Sequence, residues 1–600
     1  MGGLIFDIET NGFLADLTKV HCIAVMDEEG GVVRSFGGKT DEKIRNFLTH
    51  LEEAPLLIGH NIIEFDIPAL KKVYPHFKPK GALWDTLLDS QVLWTDLRDR
   101  DFLTRRKNPD YPAKLIGKHS LKAWGYRLGV LKGSYAEDQG DDAWVNWTQE
   151  MQNYCEQDVR VNHKLYQLIK TSPKFSQKAH DMEMELKVYM LDQEKEGFPF
   201  DEKAAKDLYT ELASERAGLE SQLASAFEPW FEVKDFIPKR DNKAKGYVKG
   251  VVFKKSKVVT FNPRSHKHIA ERLIAVRGWQ PEEFTEKGQP STDSDVLEAL
   301  PWPECKLLAR HSEIQKVIGM VAEGRSAYLK MVSPDGRLRG RVSTCGTVTG
   351  RCSHKEPNLG NIPRKGELGK RVRSLFITIP GYSLVGCDAK GLELRMMAHF
   401  LFPFDGGSYV KVVCEGDPHS FHQELAGLDT RDQSKTFIYG FIYGAGDGKI
   451  GLIIGKGIKA GKALRLRFLK RFPALSALKD AVAFKSTKFG FIKGLDGRQL
   501  HVRAVYSSLN TLLQSAGALV MKTAVINFNR TIREKGWYQD GTVRQVAFVH
   551  DEIQSLVKED HVEEIQRIAI QSIRDAGTAY GLRCPTDGDA KHGRTWGDTH

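Results

Sequence analysis

Residues Thr430–Gly446 read TRDQSKTFIYGFIYGAG, a stretch that puts cations where a helix disfavours them. Thr430 with Gln433 three residues later reads as a capping box, so a helix starts at Arg431. A helix N-terminus already carries partial positive charge and favours acids. Here Arg431, Lys435 and Tyr439 instead follow at four-residue intervals and stack on one face. Phe437, Ile438, Phe441 and Ile442 can fill the other faces against a core. Taken alone, Arg-x-x-x-Lys more often means two solvated cations. The sharper meaning is a polyanion site, with backbone N–H groups, Arg431 and Lys435 all aimed at phosphates. The rest of the chain decides between them.

The chain has 600 residues, 41% hydrophobic, with a formal net charge of +11. That length suggests three to five domains at roughly 150 residues each. The positive balance points to an acidic partner such as nucleic acid. Eight cysteines are scattered with no Cys-x-x-Cys pair, which argues against a zinc ribbon or disulfide framework and fits a reducing compartment. MGGLIFDIET has acids directly after a short apolar run and no basic lead, so no signal or transit peptide is expected. No apolar run is read as a membrane span, so no membrane partner is expected.

Residues 1–177 alternate short apolar strands, Leu4–Ile8 and His21–Met26, with helical stretches, which suggests an α/β unit. Residues 178–228 read as long amphipathic helices interrupted at GFPFD. Residues 231–260 hold nine Lys or Arg against three Asp or Glu with little helical period, so a basic loop or extended ribbon is expected. A helix restarts after Ser265, a suitable N-cap. From about residue 335 onward, strands, Gly-rich turns and strong helices alternate to the C-terminus.

Asp7 and Glu9 in GLIFDIETNGF are two apart on a strand and point to one side. A lone Asp-x-Glu is commonly solvated; two acids held together otherwise call for a divalent cation. GHNIIEFDIPAL offers Asp66 before an apolar helical run. In MQNYCEQDVRVNHKLYQLI, Met151, Tyr154, Val161, Leu165 and Leu168 read as an inward helix stripe in which Asp158 occupies a slot. A carboxylate there needs a metal or a cation. Tyr154, one turn earlier, can hold an attacking water.

These three segments, in order, spacing and the Tyr-x-x-x-Asp form of the third, resemble the Exo I, Exo II and Exo III motifs of DnaQ-like 3′→5′ proofreading exonucleases over about 170 residues. The resemblance implies an RNase H-like mixed sheet. It assigns metal binding to Asp7, Glu9, Asp66 and Asp158, with Tyr154 orienting water for phosphodiester hydrolysis.

Further along, SLVGCDAKGLELRMMAHFL reads as an apolar strand ending at Asp388, a Gly turn and a helix from about Leu392. In RQVAFVHDEIQSLV two apolar strands flank His550, Asp551 and Glu552, which are expected in a tight hairpin turn. Singly, Asp388 could be a helix cap, Glu393 a dipole partner, and the turn acids solvated groups.

Together with the Thr430–Gly446 helix these pieces resemble the family A DNA polymerases, the class of bacterial DNA polymerase I. The wording DAKGLELRMMAHF, KTFIYGFIYGAG, LNTLLQSAGAL and VHDEIQ is especially similar to replicative polymerases of short-tailed, podovirus-type phages. The resemblance implies a right-hand α+β polymerase behind the exonuclease: exonuclease at 1–177, thumb at 178–340, palm at 341–401 and 506–600, and fingers at 402–505. Asp388 and Asp551 match the motif A and motif C aspartates that bind two Mg²⁺, with Mn²⁺ as a substitute, and Glu552 supports them. Arg431, Lys435 and His419 match contacts to the triphosphate of a dNTP. Tyr439 matches the residue that stacks beside the incoming sugar, and a tyrosine there implies tolerance of dideoxynucleotides. Tyr443 matches the neighbour of the templating position, and Glu393 the gate against a ribose 2′-OH. Arg351 and Gln514 match minor-groove checks on the newest pair, and His550 a further substrate contact.

The partners implied are primer-template DNA and dNTPs and, by analogy, a phage helicase–primase and a single-stranded DNA-binding protein. The place implied is the cytoplasm of an infected bacterium. Similar phage polymerases carry a long thumb insertion that grips host thioredoxin. Here only the stretch Phe231 to Thr260 stands in that place, which speaks against a thioredoxin partner and for a lysine-rich grip on duplex phosphates. Nothing resembles a 5′ nuclease domain. Two rival readings are a single-subunit RNA polymerase-like enzyme, opposed by Glu393 and the exonuclease set, and a non-catalytic DNA-binding scaffold, opposed by the complete set of acids.

Overall fold

The computed structural model describes residues 2–131, 133, 135, 140–285, 287–363 and 366–600. The N-terminal strand β1, Leu4–Thr10, alternates apolar and acidic residues, and the alternation sorts them to two faces. It lies at the centre of a five-stranded sheet with β2 (Val20–Asp27), β3 (Arg34–Gly37), β4 (Leu56–Gly59) and β5 (Ala82–Asp85), in the order β3-β2-β1-β4-β5. β2 and β3 run antiparallel in succession, whereas β4 and β5 are parallel to β1. Leu4, Phe6 and Ile8 pack with Ile44, Phe47, Leu51 and Ile67 on one face. Ile5 packs with Cys22, Ile58, Met151, Cys155 and Val159 on the other, so Asp7 and Glu9 face the helix Gln149–Lys170.

That helix departs from the single stripe expected of it. Leu168 is 38% exposed, and Cys155, absent from the expected stripe, is fully buried. The cause is that two surfaces cover the helix. Met151, Cys155 and Val159 face the sheet, while Val161, Leu165 and Ile169 pack against Leu93 and Trp124.

Helices Gln177–Glu196 and Glu202–Ala226 break at 197–201 as the composition indicates, and Gly197 there has φ 71°. Between Glu202–Ala226 and the next helix, His266–Arg277, the basic stretch forms a two-stranded ribbon, Trp230–Phe236 against Phe253–Val259. Ser265 caps the following helix, its Oγ accepting from His268 N–H at 3.3 Å. One ribbon face holds Phe236, Tyr247 and Phe253, with the Lys255 ammonium 3.5 Å from the Phe236 ring centre. The other face leaves Phe231 71% and Val258 55% exposed.

The second large sheet is antiparallel and four-stranded, in the order Val543–Val549, Glu552–Lys558, Tyr382–Ala389, Gly588–Gly593. Val385, Cys387 and Ile553 turn to a core shared with helices Ser508–Glu534 and Val562–Ala579. Leu384 and Leu556 turn the other way, toward Phe198, Phe376 and Trp596. The helix Ser508–Glu534 with its leading turn is long and apolar enough to cross a membrane, yet most of it is buried in this core. All eight cysteines are free thiols.

Candidate active sites

In the N-terminal unit three separate segments converge. Atoms of Asp7, Glu9 and Cys155 all lie within 4.8 Å of one another. The Cys155 thiol donates to the Asp7 carbonyl oxygen at 3.3 Å, which ties the helix to β1. Asp66 opens the helix Asp66–Val73 and is 3% exposed; Asp158 is 2% exposed. Burial pushes the Asp66 carboxyl up to about 7, and the Asp85 and Asp158 charges add to it. The N–H of Ile8, between Asp7 and Glu9, works against this by hydrogen bonding to Asp66. Asp85 caps the helix Thr86–Leu93, accepting from Leu87 and Asn61 N–H at 2.9 Å each, and burial still holds it up at about 6. Crowded acids whose negative charge is disfavoured, all offering oxygen, fit a hard divalent cation. Tyr154 stands one turn before Asp158, its ring 5.9 Å from Tyr135 and 6.2 Å from Trp144. A cleft of about 1550 Å³ opens from Glu9 past Phe13, Asn61 and Phe65 to Arg339 and Arg341.

In the C-terminal unit, Asp388 lies at the end of its strand directly opposite Glu552 on one neighbour and Asp589 on the other. The hairpin brings in Asp551, whose carbonyl accepts from Ala389 N–H at 3.0 Å. His550 takes a left-handed conformation, φ 57°, at this turn, and its ring bonds to the Gly360 carbonyl at 3.0 Å. Glu552 corrects the expectation of a turn residue. It is the first residue of its strand, 3% exposed, and is held by Trp596 Nε1 at 2.8 Å, His600 Nδ1 at 3.1 Å and the Gln554 amide. Strand pairing with Asp388 draws it inward, where the C-terminal segment satisfies its charge. Gly386 makes room for that segment, since a Cβ there would lie 2.3 Å from Gln554 Nε2 and 2.8 Å from the Thr599 side chain.

The helix Arg431–Ile442 begins as its sequence indicates, with both halves of the capping box formed at Thr430 and Gln433. Phe437, Ile438, Phe441 and Ile442 are buried, which leaves Arg431 and Lys435 exposed. Arg431 forms a two-pronged pair with Asp417 at 2.7 and 3.0 Å. The Arg431 and Ser420 hydrogen bonds hold the Asp417 carboxyl well below the usual carboxylate range. Asp417 also caps the helix Pro418–Ala426, which carries His419. Burial, then the nearby Arg431 charge, keep His419 below its ordinary pKa, and its ring lies 6.1 Å from Tyr439. Glu393 accepts from Tyr443 Oη at 2.6 Å and from Arg351 at 3.4 Å, so these three residues meet as one group. Gln514 and Asn510 sit half-buried one turn apart on Ser508–Glu534.

Sequence reasoning missed Cys155, Asp85, Asp417 and Asp589. The Asp-Pro of GDPHS is a readable cap signal, so Asp417 was within reach; Asp589 becomes visible only through strand register.

Two clusters of acids on two different sheets, in a chain that also exposes Arg431 and Lys435 along one helix, belong to a DNA-directed DNA polymerase joined to an exonuclease-type domain, as the following matches show. Residues 242–598 match DNA polymerase family A, and residues 4–101 match the RNase H superfamily. The chain is 34% identical to the DNA-directed DNA polymerase of Enterobacteria phage T3 and 34% identical to that of Escherichia phage T7, covering 100% of each and of itself. Its fold is similar to a solved Pol1 polymerase domain from M. smegmatis in complex with DNA primer-template and dNTP, with TM-score 0.73 and 20% identity, over 100% of this chain and 96% of that one. The chain belongs to DNA polymerase family A.

Proposed function

We propose that this protein extends a DNA primer on a template and removes misplaced 3′ nucleotides at a second site. The observation that carries the reading is Asp388 at a strand end, paired with Glu552 and bonded through the next residue to Asp551, in a chain whose Arg431–Ile442 helix exposes Arg431 and Lys435.

Asp388 and Asp551 would hold two Mg²⁺ ions, or Mn²⁺, which lower the pKa of the primer 3′-OH and neutralise the triphosphate. Lys435, Arg431 and His419 bind the phosphates and stabilise the charge that develops on pyrophosphate. Arg431 does so by exchanging its bond to Asp417 for one to the nucleotide. Tyr439 stacks beside the sugar, and Glu393, fixed by Tyr443 and Arg351, crowds the 2′ position and selects deoxynucleotides. Gln514 and Arg351 check acceptors common to every correct pair. His550 fixes the hairpin beside the primer end, and Glu552 steadies Asp388 and its strand. In the exonuclease, Asp7, Glu9, Asp66 and Asp158 hold the metal, while Tyr154 orients the attacking water.

The domain limits that suit these roles are 1–177, 178–340, 341–401 with 506–600, and 402–505. The setting that suits them is phage genome replication in the host cytoplasm, beside a helicase–primase and a single-stranded DNA-binding protein. The Trp230–Val259 ribbon grips the duplex without thioredoxin.

The test is primer extension beside primer degradation with Asp7→Ala and Asp388→Ala. The first variant is expected to lose degradation and keep extension, and the second to do the converse. Loss of both activities in either variant contradicts two separate sites.

A further inference from the structure

The fingers carry an exposed group of aromatic rings that the roles above leave unused. On the helix Pro473–Phe489, Phe484 is 65% and Phe489 55% exposed, although their neighbours Val482 and Ser486 are buried. Lys488 lies between the two rings, its ammonium 5.8 Å from the centre of Phe484 and 5.3 Å from that of Phe489. Phe491 extends the row, its ring centre 6.1 Å from Phe489. Ser486 on the inner side bonds to Ser508 at 2.8 Å and fixes the helix end against the start of Ser508–Glu534. Just ahead of that start, the turn Val505–Ser507 leaves Tyr506 76% exposed, one turn before Asn510 and two before Gln514. From 481 to 493 the chain has three lysines, Lys485, Lys488 and Lys493, and no acid. The acid nearest along the chain is Asp480, exposed one turn before Phe484.

Large exposed rings are costly on a surface with no partner, and apolar patches of this kind mark interaction sites. Lysines spaced between the rings exclude a purely apolar occupant. An unpaired DNA strand offers both complements at once, base faces for the rings and phosphates for the ammonium groups, and needs no particular sequence. Duplex DNA hides its base faces and would leave the rings unused.

We propose that Phe484, Lys488, Phe489 and Tyr506 form a ledge for the single-stranded template ahead of the templating position. This rests on the polymerase reading, because Tyr506 lies about two turns before Gln514, the residue proposed to check the newest pair.

The test measures binding to two primer-templates that share one duplex, with 5′ template overhangs of two and twelve nucleotides. The native chain is expected to bind the longer overhang roughly fivefold to tenfold more tightly, a preference that the Phe484→Ala/Phe489→Ala/Tyr506→Ala variant loses. That variant should still extend the two-nucleotide overhang as the native chain does, which separates failure of the ledge from failure of the polymerase reading. Phe484→Tyr with Phe489→Tyr should keep the preference. Lys485→Gln with Lys488→Gln should lower the salt dependence on the long overhang alone. Equal overhang preference in the native chain and the alanine variant overturns the proposal. So does a concentration-dependent dimer that only the alanine variant lacks, which would assign the ledge to a second copy of the chain.

Discussion

Lys522 is fully buried in the middle of Ser508–Glu534, a position that few lysines occupy. Its ammonium donates to Glu183 at 2.5 Å and to the Thr344 carbonyl at 3.0 Å, and Arg498 reaches the same Glu183 oxygen at 2.8 Å. Burial alone would raise Glu183, but the Lys522 and Arg498 charges outweigh it and hold the carboxyl at about 2. Lys522→Met leaves Glu183 and Arg498 with an unbalanced buried set and should destabilise the fold by roughly 3–5 kcal/mol, read from the urea midpoint. His422 makes the opposite case. It is fully buried, its Nε2 is 2.9 Å from Tyr409 Oη, and burial pushes its pKa down to about 3. The folded ring stays neutral while the unfolded ring takes a proton near pH 6.5, so its contribution is complete above that pH and falls away as pH drops toward 3. Unfolding midpoints at pH 7 and pH 5 should therefore converge in His422→Gln relative to the native chain.

At the scale of elements, the strand Tyr382–Ala389 does two jobs by alternation. Its odd residues bury against helices, and its even ones, Leu384, Gly386 and Asp388, face the opposite way toward the C-terminal segment and the site. Gly386→Ala is expected to push the Thr599 end off the sheet and cut primer extension at least tenfold, with degradation of single-stranded DNA unchanged. An unaltered extension rate would mean that the segment is dispensable. Elements of this kind were legible where a local signal repeats at a fixed period. The capping box at Thr430, the Ser265 cap and the β1 alternation all reappear in space as their sequence indicates. Glu552 was read as a turn residue because two acids after a histidine resemble a solvated tip. What moved it inward is register with Asp388, which no local pattern encodes. The stripe containing Leu168 failed for a related reason: a helix covered on two sides has two periodicities laid over one another.

Across the whole molecule, the N-terminal unit is joined to the rest by charge as well as by chain. Glu64, two residues before Asp66, receives Lys187 at 2.5 Å and also pairs with Arg341. Asp99 lies 3.5 Å from both His501 and Arg503. The proposed grip of the basic ribbon belongs to this scale too, since it would act on DNA already held elsewhere. Replacing Lys243, Lys245, Lys254 and Lys257 with glutamine should shorten the product made per binding event and flatten its salt dependence. Unchanged product length across a salt titration would assign those lysines to solvent. None of these joints could be read along the chain, because each pairs residues more than a hundred positions apart with no shared motif.

If Arg431 binds phosphate as proposed, its pair with Asp417 gives the Arg431–Ile442 helix a threshold. A guanidinium already satisfied by a carboxylate does not capture every passing anion, for a singly charged ester offers no more than the bond it must break. On the proposed reading a triphosphate brings enough charge to win Arg431 and engage Lys435 in the same event. On that reading the helix answers to how much charge arrives together and passes over singly charged phosphates.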